Sequence, residues 1–270
     1  MISVRQLIDL MEKVREQKPL LHVITNRVAI NDSANGALAV GASPIMAEAH
    51  EEVENIASIA GALELNIGNL TPYSIKSMLL SGKAANRAGV PVVLDPVGAG
   101  ATDFRLTTVK HLLDELDIAI VRGNAGEIAA LADEDWGAKG VDAGEGSGDI
   151  DAIARRVADD RRTVVAVSGA VDTVTDGTRI YHVNNGHPLF PYMTGSGCVN
   201  GVIQAAYAAV THDFLAASLA ASVNYAIAGQ LAGKNCPGPG SFRQRLMDEL
   251  YHLDGVKIRR FASAEEVTRA

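Results

Sequence analysis

PVVLDPVGAGATDF, residues 91–104, decides how this chain is read. A short, unbroken apolar run rich in valine ends on Asp95, and the rigid Pro96 and a small-residue turn follow. An apolar run of that length, bounded by turn signals, reads as a strand buried on both faces, which is the habit of parallel sheets. The pattern recurs outward in both directions, in LLHVIT (20–25), SPIMA (43–47), ALELNIG (62–68), IAIVRGN (118–124) and TVVAVSG (163–169). Several of these runs end in a Gly, Pro, Asn or Asp turn. Helical stretches lie between them: NDSANGALAVG (31–41), TPYSIKSMLLSGKAANRAG (71–89) and NAGEIAALAD (124–133). This βαβ rhythm predicts an α/β fold, a mostly parallel central sheet with helices on both faces, and ligands gathering at the carboxyl ends of the strands.

Further along, VDTVTDGTRIYHV (171–183) predicts a hairpin around Asp176–Gly177. The acidic, glycine-rich segment 133–149 reads as a surface loop, since its acids would repel a phosphate. After the TGSGC turn (194–198) the remainder reads as helical, with a further helix starting at PGPGSF (237–242). No repeat and no linker divides the chain, so residues 1–270 are expected to form a single domain.

Composition narrows the function classes. With 47% hydrophobic and 21% charged residues, a chain of 270 residues can bury a sizeable core. Net charge is −8 and no Lys/Arg block occurs, so no nucleic-acid footprint is present. Two cysteines, Cys198 and Cys236, and no CxxC point to a reducing, cytoplasmic location. The amino-terminal MISVRQLIDLMEKVREQ is charged and amphipathic, unlike a signal peptide. Residues 214–232 are long enough to test as a membrane span, but Ser218, Ser222, Asn224, Gln230 and many alanines favour a helix buried in protein. No membrane partner is expected.

Four stretches carry candidate chemistry. Asp95, at a strand end, is placed to orient the waters of Mg²⁺, or else to cap the following turn. The Gly98–Ala99–Gly100 turn begins a dinucleotide fingerprint, but Asp103 stands where the third glycine belongs, which argues against an NAD-dependent oxidoreductase. In RGNAGEI, Arg122 suits a fork around phosphate oxygens, and Glu127 is either a metal-site acid or the partner of an Asn124 cap. TGSG feeding a helix leaves uncapped N–H groups and a partial positive charge, an anion hole over Gly195, Ser196, Gly197 and Cys198. The same field is expected to lower the Cys198 thiol pKa. No GxxxxGK[ST] occurs, so phosphoryl chemistry here would depend on that turn. Finally, Asn26, Asn31 and Asn35 crowd a strand-to-helix passage and Met46 ends the next short strand; as residues alone they are equally well caps and core filler.

Taken in order, ITNRVAINDSANGALAVGASPIMAEAHEEVE, NIGNL, GKAANRAGVPVVLDPVGAGAT, RGNAGEI, NGHP and TGSGC resemble hydroxyethylthiazole kinase, of the ribokinase-like superfamily, over most of the chain. The resemblance implies an ATP- and Mg²⁺-dependent kinase of thiamine salvage. It would phosphorylate the primary alcohol of 4-methyl-5-(2-hydroxyethyl)thiazole and work as a homotrimer with active sites between subunits. By the same resemblance Met46 and Asn26 belong to the thiazole site, and Gly195 contacts the substrate. Arg122 and Ser168 match ATP-contacting positions, and Asp95 and Glu127 match the acids that hold the metal and its waters. Cys198 stands where most ribokinase-like relatives place an aspartate base. Ser196 and Ser168 replace more usual threonines and keep a hydroxyl, while Gly126 replaces a frequent serine. The rivals are a kinase of another small alcohol, a pyrimidine or a sugar, and a catalytically silent scaffold, which Asp95, Glu127 and Cys198 disfavour.

Overall fold

In the computed structural model, residues 1–134, 136 and 149–267 are described. The elements run α1 (Val4–Gln17), β1 (Leu20–Ile24), α2 (Ile30–Val40), β2 (Ser43–Ile45), α3 (Val53–Ile59), β3 (Ala62–Asn66), α4 (Pro72–Ala88), β4 (Val92–Asp95), α5 (Asp103–Glu115), β5 (Ile120–Asn124) and α6 (Ala125–Leu131). After the acidic segment come α7 (Ile150–Arg161), β6 (Val164–Ser168), β7 (Asp172–Thr175), β8 (Ile180–Val183), α8 (Ser196–Ala208), α9 (Phe214–Gly233), α10 (Pro239–Tyr251), α11 (Gly255–Phe261) and β9 (Ala264–Glu266).

All nine strands form one sheet in the order β2-β1-β3-β4-β5-β6-β7-β8-β9. The first six are mutually parallel and the last three antiparallel, so the expected mostly parallel sheet is present. Pro44 falls in β2, the edge strand, where a missing backbone donor breaks no central ladder. The β7–β8 hairpin turns at Asp176–Gly177 as expected, with Gly177 at φ +89°.

Alternation along the strands splits the interior into two layers. On one face, Leu63, Leu65, Leu94, Val121 and Val165 pack with α3, α4, α6 and α7 residues. On the other, Val23, Val93, Ile120 and Ala166 pack with α1, α8 and α9. Small residues allow the second layer to close: a methyl on Gly36 of α2 would lie 2.7 Å from Val199 Cγ1 of α8. Helix α9 is long and apolar enough to cross a membrane, but 83% of its apolar window is buried within the protein.

One expectation fails at the carboxyl end. The last third is not wholly helical, because β9 adds to β8, held by Tyr181 Oη donating to Glu266 Oε2 at 2.8 Å. Three residues reading AEE carry no strand signature; the open edge of β8 makes this a strand. Of the segment 133–149, residues 135 and 137–148 lie outside the described residues.

Candidate active site

The parallel strands present their carboxyl ends to the amino-terminal turn of α8. Glu64 and Asn66 on β3, Asp95 on β4, Arg122 on β5 and Ser168 on β6 alternate with core residues and share the α8 face. A line of polar side chains on a buried face is costly unless each is bonded, and most of these bond to one another. Asn26 Nδ2 donates to Asn66 Oδ1 at 2.9 Å and to Cys198 Sγ at 3.1 Å. Asn66 Nδ2 donates to Asp95 Oδ2 at 2.8 Å. Arg122 follows, with Nη1 3.9 Å from Asp95 Oδ2 and Nη2 donating to Ser168 Oγ at 2.8 Å.

Opposite this line lies the TGSG turn. Gly195 caps α8 at φ +82°, a conformation that glycine adopts without strain, and Ser196, Gly197 and Cys198 form the first helical turn. Ser196 Oγ donates to the Phe190 carbonyl at 3.0 Å, and Tyr225 Oη donates to the Ser196 carbonyl at 2.7 Å, so α9 clamps the turn from behind. The N–H groups of Gly197 and Cys198 have no backbone partner among the described residues. A methyl on Gly197 would come within 2.6 Å of Arg122 Nη1, so the guanidinium packs against the first turn of α8 at Gly197. Uncapped helix amides and a guanidinium side by side make an anion cradle.

Glu127 serves two purposes. It completes the capping box with Asn124, its Oε2 accepting from Asn124 N at 2.7 Å, while Oε1 accepts from Gly98 N at 2.8 Å. The carboxylate thus ties the α6 cap to the turn after Asp95.

The electrostatics are governed by burial. Desolvation raises Asp95 to about 7; Arg122 pulls it down, the Glu127 charge pushes it up, and the Asn66 amide lowers it. Glu127 is also raised, by burial, against the pull of the Gly98 and Asn124 amides and Arg122. Desolvation pushes the Cys198 thiol up to about 12, and the Asp95 charge adds to that, outweighing the Asn66 and Asn26 amides. The expected lowering of this thiol is therefore overturned. At 7% exposure, beside a carboxylate, the cost of burying a thiolate exceeds what the helix-end field returns.

The structure brings together Asn26, Asp95, Arg122, Ser168, Gly195, Ser196, Gly197 and Cys198, with Glu127 joined through Gly98. Met46 is half-buried just beyond β2 and packs against the core, and among the described residues no hydrogen bond ties it to the cluster. Asn31 and Asn35 bond to each other on exposed α2 rather than to the site. The Gly98–Gly100 stretch is a tight turn, with Gly98 at φ +66°. Two further participants, Glu64 and Asp172, have no reading from sequence, and Asn66 enters there only as the first residue of NIGNL. Asn66 links Asn26 to Asp95; Glu64 lies beneath α8, where a methyl on Gly201 would be 3.2 Å from its Oε1; and Asp172, near Arg122, is raised to about 6 by burial against the Gly169 amide and Arg122. The available signal was ELN inside an apolar strand, two polar residues spaced to share one face.

Asp95 and Glu127 are the acids that could hold a divalent cation. Asp95 Oδ1 is buried without a hydrogen-bond partner, and two carboxylates suit a hard ion such as Mg²⁺. Among the described residues no group of three or more His, Cys, Asp or Glu is gathered so as to hold a metal ion.

Comparison with known proteins places the chain in a family. A Listeria monocytogenes protein named hydroxyethylthiazole kinase is 50% identical over 258 residues, covering 95% of this chain and 96% of the relative. The solved hydroxyethylthiazole kinase protein of Pyrococcus horikoshii superposes with a TM-score of 0.89 at 40% identity, over 98% of this chain and 100% of that one. A ribokinase-like superfamily protein of Enterococcus faecalis, 12% identical, shares the fold with a TM-score of 0.69 over 94% of this chain and 96% of its own. The profile of the Hydroxyethylthiazole kinase family matches residues 11–255, so the chain belongs to the hydroxyethylthiazole kinase family.

Proposed function

We propose that this kinase transfers the γ-phosphoryl group of ATP directly to the hydroxyethyl oxygen of 4-methyl-5-(2-hydroxyethyl)thiazole, in a Mg²⁺-dependent, in-line reaction of thiamine salvage. The observation that carries this reading is Arg122 packed against Gly197 in the turn where, among the described residues, the Gly197 and Cys198 N–H groups have no backbone partner, with its Nη1 3.9 Å from Asp95 Oδ2. Such a cradle matches the charge on a migrating phosphoryl group, and a loose transition state is served by positioning and neutralisation more than by proton removal.

Each residue then has a task. Arg122, steadied by Ser168, holds the nucleotide phosphates. The turn from Gly195 to Cys198 offers its amides to the equatorial oxygens. Asn26 and Met46 frame the acceptor alcohol, and Asn26 also fixes the Cys198 sulfur. With a thiol pKa of about 12, Cys198 orients the hydroxyl as a neutral group instead of acting as a thiolate base. Asp95 and Glu127 hold Mg²⁺, which neutralises phosphate charge when bound.

The assembly we infer is a homotrimer with the active site between subunits. Support comes from Val28, 65% exposed two residues from Asn26, and from exposed Ile30 and Leu38 on α2, an apolar surface at the border of the acceptor site. A cytoplasmic setting accords with Cys198 and Cys236 both being free thiols. A steady-state screen of small alcohols, with and without Mg²⁺, tests the function. Turnover confined to the thiazole alcohol and lost with chelator is expected; equal turnover of a pyrimidine or sugar alcohol overturns the substrate assignment. Light scattering of the purified protein tests the trimer.

A further inference from the structure

Arg105, in the first turn of α5, makes an unusual set of contacts. Its Nη1 donates to the carbonyls of Ile67 at 2.9 Å and Val97 at 2.8 Å, and its Nη2 donates to the carbonyl of Gly68 at 2.9 Å. Among the described residues no carboxylate lies within ion-pair distance of it. Its positive charge is answered by three converging carbonyl dipoles, which a planar fork can span and a lysine ammonium cannot reproduce.

These carbonyls belong to two different loops. Ile67 and Gly68 follow β3, directly after Asn66; Gly68 N donates to Asn66 Oδ1 at 2.9 Å, and a methyl on Gly68 would come within 2.6 Å of Asn26 Nδ2. Val97 follows β4, and its neighbour Gly98 gives its N–H to Glu127 Oε1. One guanidinium therefore joins the backbone behind the acceptor-side asparagines to the backbone that aims the Asp95 and Glu127 carboxyls.

Resting on the acceptor and metal assignments made above, we propose that Arg105 is a positioning residue that sets the distance between the alcohol-binding loop and the metal-binding turn. It touches neither reactant, and its loss loosens both sites at once.

The test uses Arg105→Met and Arg105→Lys in the full chain. Calorimetry measures binding of the thiazole alcohol alone, and of Mn²⁺ in the presence of a non-hydrolysable ATP analogue, beside the thermal midpoint and steady-state constants. Both affinities are expected to weaken about tenfold or more in Arg105→Met, the scale of an outer-shell loss, with Arg105→Lys in between. A folded Arg105→Met with both affinities unchanged, or with only a lowered thermal midpoint, overturns the proposal. Should Arg105→Met not fold, the same two affinities in Arg105→Lys decide the matter. A wild-type protein that neither binds nor phosphorylates the thiazole alcohol overturns the underlying functional reading; wild-type activity with unaltered variant affinities overturns the positioning role alone.

Discussion

Asn26 Nδ2 donates to Cys198 Sγ at 3.1 Å, tying a residue that follows β1 to the first turn of α8. That amide favours negative charge on sulfur, yet burial and Asp95 outweigh it and keep the thiol near a pKa of 12. The protonated form therefore holds throughout the neutral range. Two results follow. Iodoacetamide should label Cys236 but leave Cys198 unmodified below about pH 10. Cys198→Ala should lose less than about 10²-fold in turnover, the lower bound for a true general base. Mass-mapped alkylation against pH and steady-state rates check both, and rapid Cys198 labelling at pH 7 would refute the neutral-thiol assignment.

Among the described residues Arg122 is the only cation within ion-pair distance of Asp95, and it is nearly fully buried, so its replacement leaves Asp95 without a counter-charge. Arg122→Ala should cost about 3–5 kcal/mol of stability, the scale of breaking a buried pair. Arg122→Lys keeps the charge but loses the fork, and should raise the ATP KM more than it lowers the thermal midpoint. Ser168→Ala removes one hydrogen bond to a charged donor and should cost about 1.5–3 kcal/mol. Denaturant melts and ATP titrations measure these; an unchanged ATP KM in Arg122→Lys would remove Arg122 from the nucleotide site.

The sheet and its carboxyl-end cluster were legible because apolar runs ending in Asp95, Arg122–Asn124 and Ser168 are fixed by local periodicity and turn chemistry. The capping box of Asn124 and Glu127 was visible for the same reason. Glu64 and Arg105 escaped, and Asn66 was visible only inside the NIGNL motif, because their meaning is tertiary. A lone glutamate inside the apolar run ALELN carries no signal of its own until α8 is seen to cover it, and an arginine on a helix looks solvated until two loops converge on it. The Cys198 environment was misread in sign because helix-end position is local, whereas desolvation depends on what packs over the turn. Strand β9 was invisible since pairing came from an open edge and not from its own residues.

Glu64 is fully buried, and among the described residues neither carboxyl oxygen makes a hydrogen bond of good geometry, although the Asn66 amide is near enough to oppose the rise in its pKa. Burial, and then the Asp95 charge, hold its pKa well above 4.5. The folded state thus binds a proton that the unfolded chain releases above pH 4.5, so stability falls as pH rises from there toward the raised value. Glu64→Leu removes the unmade bonds and this pH dependence together. It should stabilise by about 1–3 kcal/mol, more at pH 8 than at pH 5. Thermal melts across that range measure the effect, and equal or lower midpoints for Glu64→Leu at pH 8 would show that Glu64 has a stabilising partner.

Gly195 and Gly197 sit two residues apart in the same turn, but glycine is needed at each for a different reason, so alanine should separate them. Gly195 has φ +82°, and a methyl there would stand 2.9 Å from Ala29 Cβ. Gly195→Ala should cost about 1–2 kcal/mol for the left-handed conformation alone and lower the thermal midpoint and kcat together. Gly197 lies inside the helix, where alanine is the better residue by up to about 1 kcal/mol. Its constraint is Arg122, whose Nη1 would be 2.6 Å from the new methyl. The end of a flexible side chain is easier to displace than backbone, so Gly197→Ala should push the guanidinium away from the amides with little change in stability. The ATP KM should then rise while the midpoint stays within a few degrees of wild type. Melting curves paired with ATP titrations separate the two cases: an unaltered ATP KM in Gly197→Ala would mean that Arg122 and the α8 turn do not act on the same phosphate.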